Sequence, residues 1–271
     1  MKLHYAFFCL LVTGCSSFGY QRMESAESRF NKSQSKMLCA YMSIDTMFPN
    51  EKLKSLAIAA GKGRLHRIDE LVAAGIDPSS KGTRNCSILF WAMRDKDGFE
   101  KLLNLGADPN ILFDDGGTVM HWAVRHEDSE FLTLLLKNGG NPNLRAGQLE
   151  ETPLFLAVSP RNKDKLRYLI EAGADLDTKN SNGDTALIVA AGRGQYDVAM
   201  KLLDAGADYT LQNNRGRTLA DTISWRSATM DPRNELTTWM HKVVNWLQDR
   251  GVSVELQEPK AESPNRVRAD L

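Results

Sequence analysis

Hydrophobic and polar residues recur along this chain with the spacing of short helices, in blocks that repeat. After Gly183 an apolar run, Ala186-Leu-Ile-Val-Ala-Ala191, leads into Gly192-Arg193-Gly194; Val198, Leu202 and Leu203 follow at i, i+4, i+5, and then Gly206. The first run predicts a short helix with small residues turned to a neighbour, and the second a helix with one apolar stripe. Gly206 ends that second helix, because the left-handed position after a helix favours a residue without Cβ. Thr185 stands where a side-chain oxygen satisfies the orphan N–H groups of the first helix. The block stands upstream as Thr152-Pro-Leu-Phe-Leu-Ala with Ala172-Gly-Ala-Asp175, and as Thr118-Val-Met-His-Trp-Ala with Asn138-Gly-Gly-Asn141. Corresponding threonines at 118, 152, 185 and 218 give periods of 34, 33 and 33 residues. Such a period predicts a solenoid, in which each unit buries its stripe only by stacking on the next.

Further copies extend the array over residues 51–255. Repeat one runs from Leu53 to Pro78, with Ala59-Ala60-Gly61-Lys62-Gly63 and Ala74-Gly75-Ile76-Asp77. Repeat two is degenerate: Ser87-Ile-Leu-Phe-Trp-Ala92, then Leu105-Gly-Ala-Asp108, two residues short in between. The sixth starts at Thr218, and its closing Gly251 comes 45 residues after Gly206. The added dozen lies near Trp225 to Glu235 and holds the turn signal Asp231-Pro232. Trp239, Val243, Trp246 and Leu247 at helical spacing read either as a C-terminal cap with core tryptophans or as an exposed binding stripe. The apolar stretch Lys36 to Phe48, closed by Pro49, predicts a capping helix within residues 36–50. Residues 256–271 are charged and Pro-containing, and predict disorder.

The repeated residues resemble the ankyrin repeat. That resemblance implies an all-α ankyrin-repeat solenoid: helix-turn-helix units with β-hairpin fingers, about six repeats, and helical caps.

Composition adds little to the array. Of 271 residues 42% are hydrophobic and 25% charged, with a net charge of zero. No global basic excess points to nucleic acid. The N-terminus changes the picture more. Lys2 precedes an apolar run ending at Val12, too short to span a bilayer, so residues 1–14 read as a secretory signal. Leu11-Val12-Thr13-Gly14-Cys15 resembles a bacterial lipoprotein lipobox, which implies lipidation of Cys15; the other reading is an ordinary cleaved signal with an incidental cysteine. By that resemblance, Ser16 rather than Asp favours the outer membrane, with the array facing the periplasm. Residues 15–35 would then be a lipidated cysteine with a polar tether. Cys39 and Cys86 remain, an even pair in an oxidising compartment. A disulfide and two separate buried thiols are both open.

The sequence offers no catalytic constellation. It has no Gly-x-Ser-x-Gly, no His-Glu-x-x-His, no cysteine pair at metal-ligand spacing and no complete phosphate loop. Gly61-Lys62-Gly63 and Gly192-Arg193-Gly194 occupy the same inter-helix turn of their repeats. His121 holds the usual His position of the ankyrin motif, which implies that it orients a turn by hydrogen bonding. The chain reads as a non-enzyme with no cofactor and no metal.

In ankyrin proteins partners usually contact the fingertips and the exposed end of the first helix. The matching pairs are Gly61 and Lys62, Arg94 and Asp95, Arg125 and His126, Ser159 and Pro160, Gly192 and Arg193, and Trp225 and Arg226; five of the six contain a base. They predict a basic ladder along a concave groove, suited to an acidic surface. The alternative is a row of solvated helix ends, where cations suit the dipole. Arg84, Asp114, Asp115, Arg215 and Arg217 stand in the fingers near that groove.

A lipid-anchored ankyrin array resembles the ankyrin-repeat lipoproteins that act as immunity proteins against type VI secretion phospholipase effectors. The resemblance implies a monomer that binds a lipase toxin with an acidic contact surface. An envelope scaffold or chaperone, or a lipoprotein protecting a catalase-like partner, are the other readings.

Overall fold

The computed structural model describes residues 39–114, 116–159, 162–229 and 235–257. Thirteen α-helices and two 3-10 turns are formed there. After the one-turn α1 (Ile44–Met47), six helix pairs follow: α2 (Glu51–Ala60) with α3 (Leu65–Ala73), α4 (Ile88–Ala92) with α5 (Lys96–Asn104), α6 (Val119–Arg125) with α7 (Glu130–Lys137), α8 (Pro153–Ala157) with α9 (Lys163–Glu171), α10 (Ala186–Gly192) with α11 (Tyr196–Asp204), and α12 (Leu219–Ser227) with α13 (Glu235–Gln248). First helices pack side by side along the series α2, α4, α6, α8, α10, α12. Second helices pack as α3 on α5, α5 on α7, and α11 on α13, whereas α9 rests on α8 and touches α7 and α11 only slightly.

One hydrophobic cluster runs through the array, from Met47 and Phe48 to Val243 and Leu247. Val198, Leu202 and Leu203 are buried in it as their spacing predicts. Trp239 and Trp246 are half-buried against it, the indole of Trp246 edge-on to Tyr209 at 5.4 Å. They belong to the cap face of α13.

Capping side chains start the first helices. Thr118 accepts from the His121 N–H and Thr185 from the Ile188 N–H, and Thr218 forms a reciprocal capping box with Asp221. Thr152 departs from the pattern: Pro153 follows it, and its buried hydroxyl has no partner among the described residues. Gly206, at φ +96°, takes the left-handed position that ends α11. Between pairs the chain turns back through hydrogen bonds such as Phe113 N–H to Gly117 O and Asn213 N–H to Arg217 O. Only isolated β-bridges, Lys81 with Ser87 and Ala146 with Glu151, are found in these fingers among the described residues. A second set of bonds sets the stacking register. The N–H groups of Asp108, Asn141, Asp175 and Asp208 donate to side-chain oxygens of Ser79, Asn110, Asn143 and Asp177, each one repeat back, at 2.7–2.9 Å.

Both ends differ from the sequence expectation. The described part of the N-terminal cap is no single helix. A 3-10 turn at Cys39–Tyr41 is followed by Ser43, extended at ψ 161°, which restarts the chain as α1 by accepting from the Thr46 N–H. Cys39 is bonded to Cys86, with 5.8 Å between their Cα atoms, so the cap is clamped to the finger of repeat two. Gly82 lets that finger close, since a Cβ there would sit 2.2 Å from the Met47 carbonyl oxygen. At the other end the chain after α13 runs back to α12. Ser224 donates to the Glu255 carbonyl at 2.6 Å, and the Gln257 N–H donates to Ser227 Oγ at 2.8 Å. Leu256 and Gln257 are therefore held; the rest of the tail, residues 258–271, lies outside the described residues.

Candidate protein-docking face

Each first helix turns one side to its second helix and two flanks to its neighbours, which leaves one face uncovered. Five equivalent positions on it carry Ile58, Trp91, Trp122, Leu156 and Val189, all half-buried. Three residues further on stand Gly61, Arg94, Arg125, Ser159 and Gly192, at the ends of the same helices, and Trp225 is the corresponding residue of α12, where the first-row position is the buried Thr222. Because the first helices pack edge to edge, these positions form two parallel rows, one apolar and one partly basic.

Repeats two and three carry the densest part of this face. The guanidinium carbon of Arg94 lies 3.6 Å from the centre of the Trp91 ring, and Arg94 donates to the Trp91 carbonyl at 2.9 Å. Arg125 lies 5.8 Å from the centre of Trp122. Phe90 joins the two repeats, 5.3 Å from Trp122 and 5.7 Å, edge-on, from Phe113. Stacked cations of this kind contribute roughly 0.5–1 kcal/mol each at exposed sites. Gly61 makes room for the indole: a Cβ there would come within 2.9 Å of Trp91 Cδ1. Protein packed around the Arg125 guanidinium lowers its pKa by desolvation, with Glu151 opposing the shift.

The other residues predicted from sequence are placed as follows. Lys62 and Arg193 are exposed, and Arg193 donates to the Val158 carbonyl of the preceding repeat at 3.4 Å. Arg226 is half-buried and donates to Thr229 Oγ1 at 3.1 Å, while Trp225 is 51% exposed with Arg217 5.7 Å from its centre. Arg215 is exposed. Asp95 caps α5, accepting from the Gly98 N–H at 2.9 Å, and His126 shapes its own turn by accepting from the Asp128 N–H at 3.1 Å. Asp114 binds the neighbouring finger, where Arg84 and Asn85 are left-handed at φ 58° and 57°: its carboxylate accepts from Asn85 at 2.6 Å and its N–H donates to Arg84 O. Asp115 and Cys15 lie outside the described residues. Sequence reasoning missed Trp91 and Trp122 as surface residues. The signal was there, since both share the register of Leu156 and Val189.

Two polar groups hold this face in place. His121 is buried; its Nδ1 pairs with the Thr118 hydroxyl at 2.7 Å and its Nε2 with the Glu151 carbonyl at 3.1 Å. A carbonyl accepts only, so Nε2 carries the proton and Nδ1 accepts from the threonine. Burial pushes its pKa down to about 4, against the opposing bond to Glu151, so the imidazole is neutral. Lys165, buried in the first turn of α9, donates to the carbonyls of Val124 and His126 and so caps the end of α6 that bears Arg125. Burial lowers its pKa, with Asp128 and Glu127 opposing. Among the described residues no group of three or more His, Cys, Asp or Glu could hold a metal, and no helix is long and apolar enough to cross a membrane.

A family model described as ankyrin repeats in three copies matches residues 56–146 and 120–213, together more than half of the chain. The chain belongs to the ankyrin-repeat family. Protein PhlB of Serratia liquefaciens is 38% identical over 113 residues, 41% of this chain and 50% of PhlB. The chain thus spans about half the length of that curated relative. Among solved structures, the complex of the Bd0816 predatory endopeptidase of Bdellovibrio bacteriovorus with immunity protein Bd3460 contains a chain similar to this one. Its TM-score is 0.57 at 25% identity, covering 70% of this chain and 97% of that one. EF0377, an ankyrin repeat protein, matches with a TM-score of 0.59 at 23% identity over 72% of this chain and 98% of its own. Ankyrin arrays are protein-binding scaffolds.

Proposed function

We propose that this ankyrin protein is an envelope-anchored immunity protein that docks on a secreted toxin, a phospholipase effector of type VI secretion, and occludes its active site. The observation that carries the reading is the uncovered face of the first helices, where aromatic rings and stacked arginines stand in a row with no chemistry of their own. A preformed surface of that kind favours stoichiometric binding. The likeness to a chain from an endopeptidase–immunity protein complex supports a toxin partner. The lipobox-like segment ending at Cys15 supports anchoring, which raises the local concentration of an inhibitor at the membrane that a phospholipase attacks. The Cys39–Cys86 bridge suits an oxidising compartment.

Deleting the gene and confronting the cells with a toxin-secreting sibling tests this directly. Survival is expected to fall, to return with the wild-type gene, and to return only in part with Cys15→Ala. Survival of the deletion strain equal to wild type would remove the immunity role.

A further inference from the structure

We infer that the Cys39–Cys86 bond is a redox latch on the docking face: the finger of repeat two and the start of α4, the helix that carries Trp91, are fixed only once the two thiols have been oxidised. A chain still in a reducing compartment then has the array without a fixed first end of its face. The latch goes beyond the immunity role and holds whatever the partner is.

The end of a solenoid lacks a neighbour on one side. Later fingers are each bonded to the one before, through Asp114 N–H to Arg84 O, Gly147 N–H to Gly116 O, Ser181 N–H to Leu149 O and Asn214 N–H to Asn182 O. The finger of repeat two has the cap in that place. Its contacts with the cap are close and apolar: Met47 and Phe48 are buried, a Cβ on Gly82 would come within 2.6 Å of the Phe48 ring, and Met42 Sδ lies 3.9 Å from Cys86 Sγ. The N–H groups of Met42, Met47 and Phe48 donate to carbonyls of the cap itself.

This finger also needs holding. Arg84 and Asn85 are consecutive left-handed residues, neither of them glycine, and the shielded Nε of Arg84 has no partner among the described residues. Such backbone persists only where its surroundings enforce it. Two neighbours depend on it. Arg84 O and the Asn85 amide bind Asp114 of the next finger. Ser87, directly after Cys86, starts α4 by accepting from the Leu89 N–H at 3.1 Å. The bond joins residues 47 apart, so α1, α2 and α3 lie inside the loop it closes, and without it that loop regains its freedom.

Closing the bond removes two electrons and two protons from the thiols. The acceptor is the disulfide of an oxidoreductase or of oxidised glutathione. One cysteine thiolate attacks its sulfur, the other displaces the mixed disulfide, and the acceptor leaves as two thiols. Both cysteines are then buried, so small thiols reach the bond only when the cap opens.

The test compares the full chain in non-ionic detergent, oxidised, with the same chain refolded under reductant, by amide hydrogen exchange. The amides of Gly82, Cys86, Leu89 and Asp114 should exchange at least tenfold faster in the reduced chain, while Leu202 and Leu203 of α11 keep their rates. Oxidised glutathione should restore the slow exchange. Cys39→Ala with Cys86→Ala should behave as the reduced chain, with or without reductant. Equal rates at the four amides in both forms overturn the latch. An equal acceleration at Leu202 and Leu203 overturns it too, since the whole array then loosens together. Should the four amides respond while deletion leaves cells fully protected, the immunity role falls and the latch stands; should cells lose protection while the amides do not respond, the reverse holds.

Discussion

At the scale of single residues, His121 shows how a motif position acts through its hydrogen bonds. It ties the start of α6 to the base of the next finger through Thr118 and the Glu151 carbonyl, and it must be neutral to accept from the threonine. Its pKa falls from 6.5 in the unfolded chain to about 4 in the fold. Between those values the unfolded chain holds a proton that the folded one lacks, so stability is complete above pH 6.5 and declines as pH falls toward 4. The largest loss is about 3 kcal/mol, since each tenfold weakening of proton binding corresponds to roughly 1.4 kcal/mol. Comparing urea unfolding of the wild type and His121→Gln from pH 7.5 to 3.5 should show a steeper acid loss in the wild type across this window. Parallel curves would mean that the imidazole titrates normally in the fold.

At the scale of helices and turns, much depends on groups reaching across from the next repeat. Lys165 caps α6 from α9, so Lys165→Met leaves the carbonyls of Val124 and His126 without a donor. Leaving buried acceptors unsatisfied costs about 1–3 kcal/mol, and urea midpoints should fall accordingly. An unchanged midpoint would show that water replaces the amine. Nothing in the sequence pointed to Lys165, because a lysine in the first turn of an amphipathic helix looks like any solvated one. The helix pairs themselves were legible, since threonine caps, glycine stops and apolar stripes recur at one period. The base of each turn was legible too: Asp108, Asn141, Asp175 and Asp208 stand at fixed distances and serve one repeated bond. The cap was harder. An apolar count over residues 36–50 cannot register that Ser43 breaks the run, and cysteine parity gives a number without giving partners. The docking face was half legible. Arginines at 94 and 125 stood out by charge, whereas Trp91 and Trp122 were legible only as parts of the repeat motif, and it took the neighbouring helices to place them on an open face.

At the scale of the molecule, stability in a solenoid is a sum of unit and interface terms, so the array is as cooperative as its weakest seam. Repeat four is that seam. Its first helix, α8, has five residues and a threonine that makes no cap, and its second helix touches α7 and α11 only slightly. Cross-repeat bonds partly offset this, with Lys165 reaching back to repeat three and Arg193 reaching from repeat five to the Val158 carbonyl. The Trp91–Trp122 rows and the Trp225 end of the face therefore lie on opposite sides of a compliant unit. Local opening follows the interfaces that must break, and a helix lightly held on two sides opens at lower free energy. Amides of α9 such as Leu169 and Ile170 should exchange at least tenfold faster than Leu202 and Leu203 of α11, although Leu169 is as buried as Leu202. Lys165→Met should widen the gap by speeding α9 without changing α11. Equal protection along both helices would show that the array opens as one body, and that its docking face is rigid from end to end.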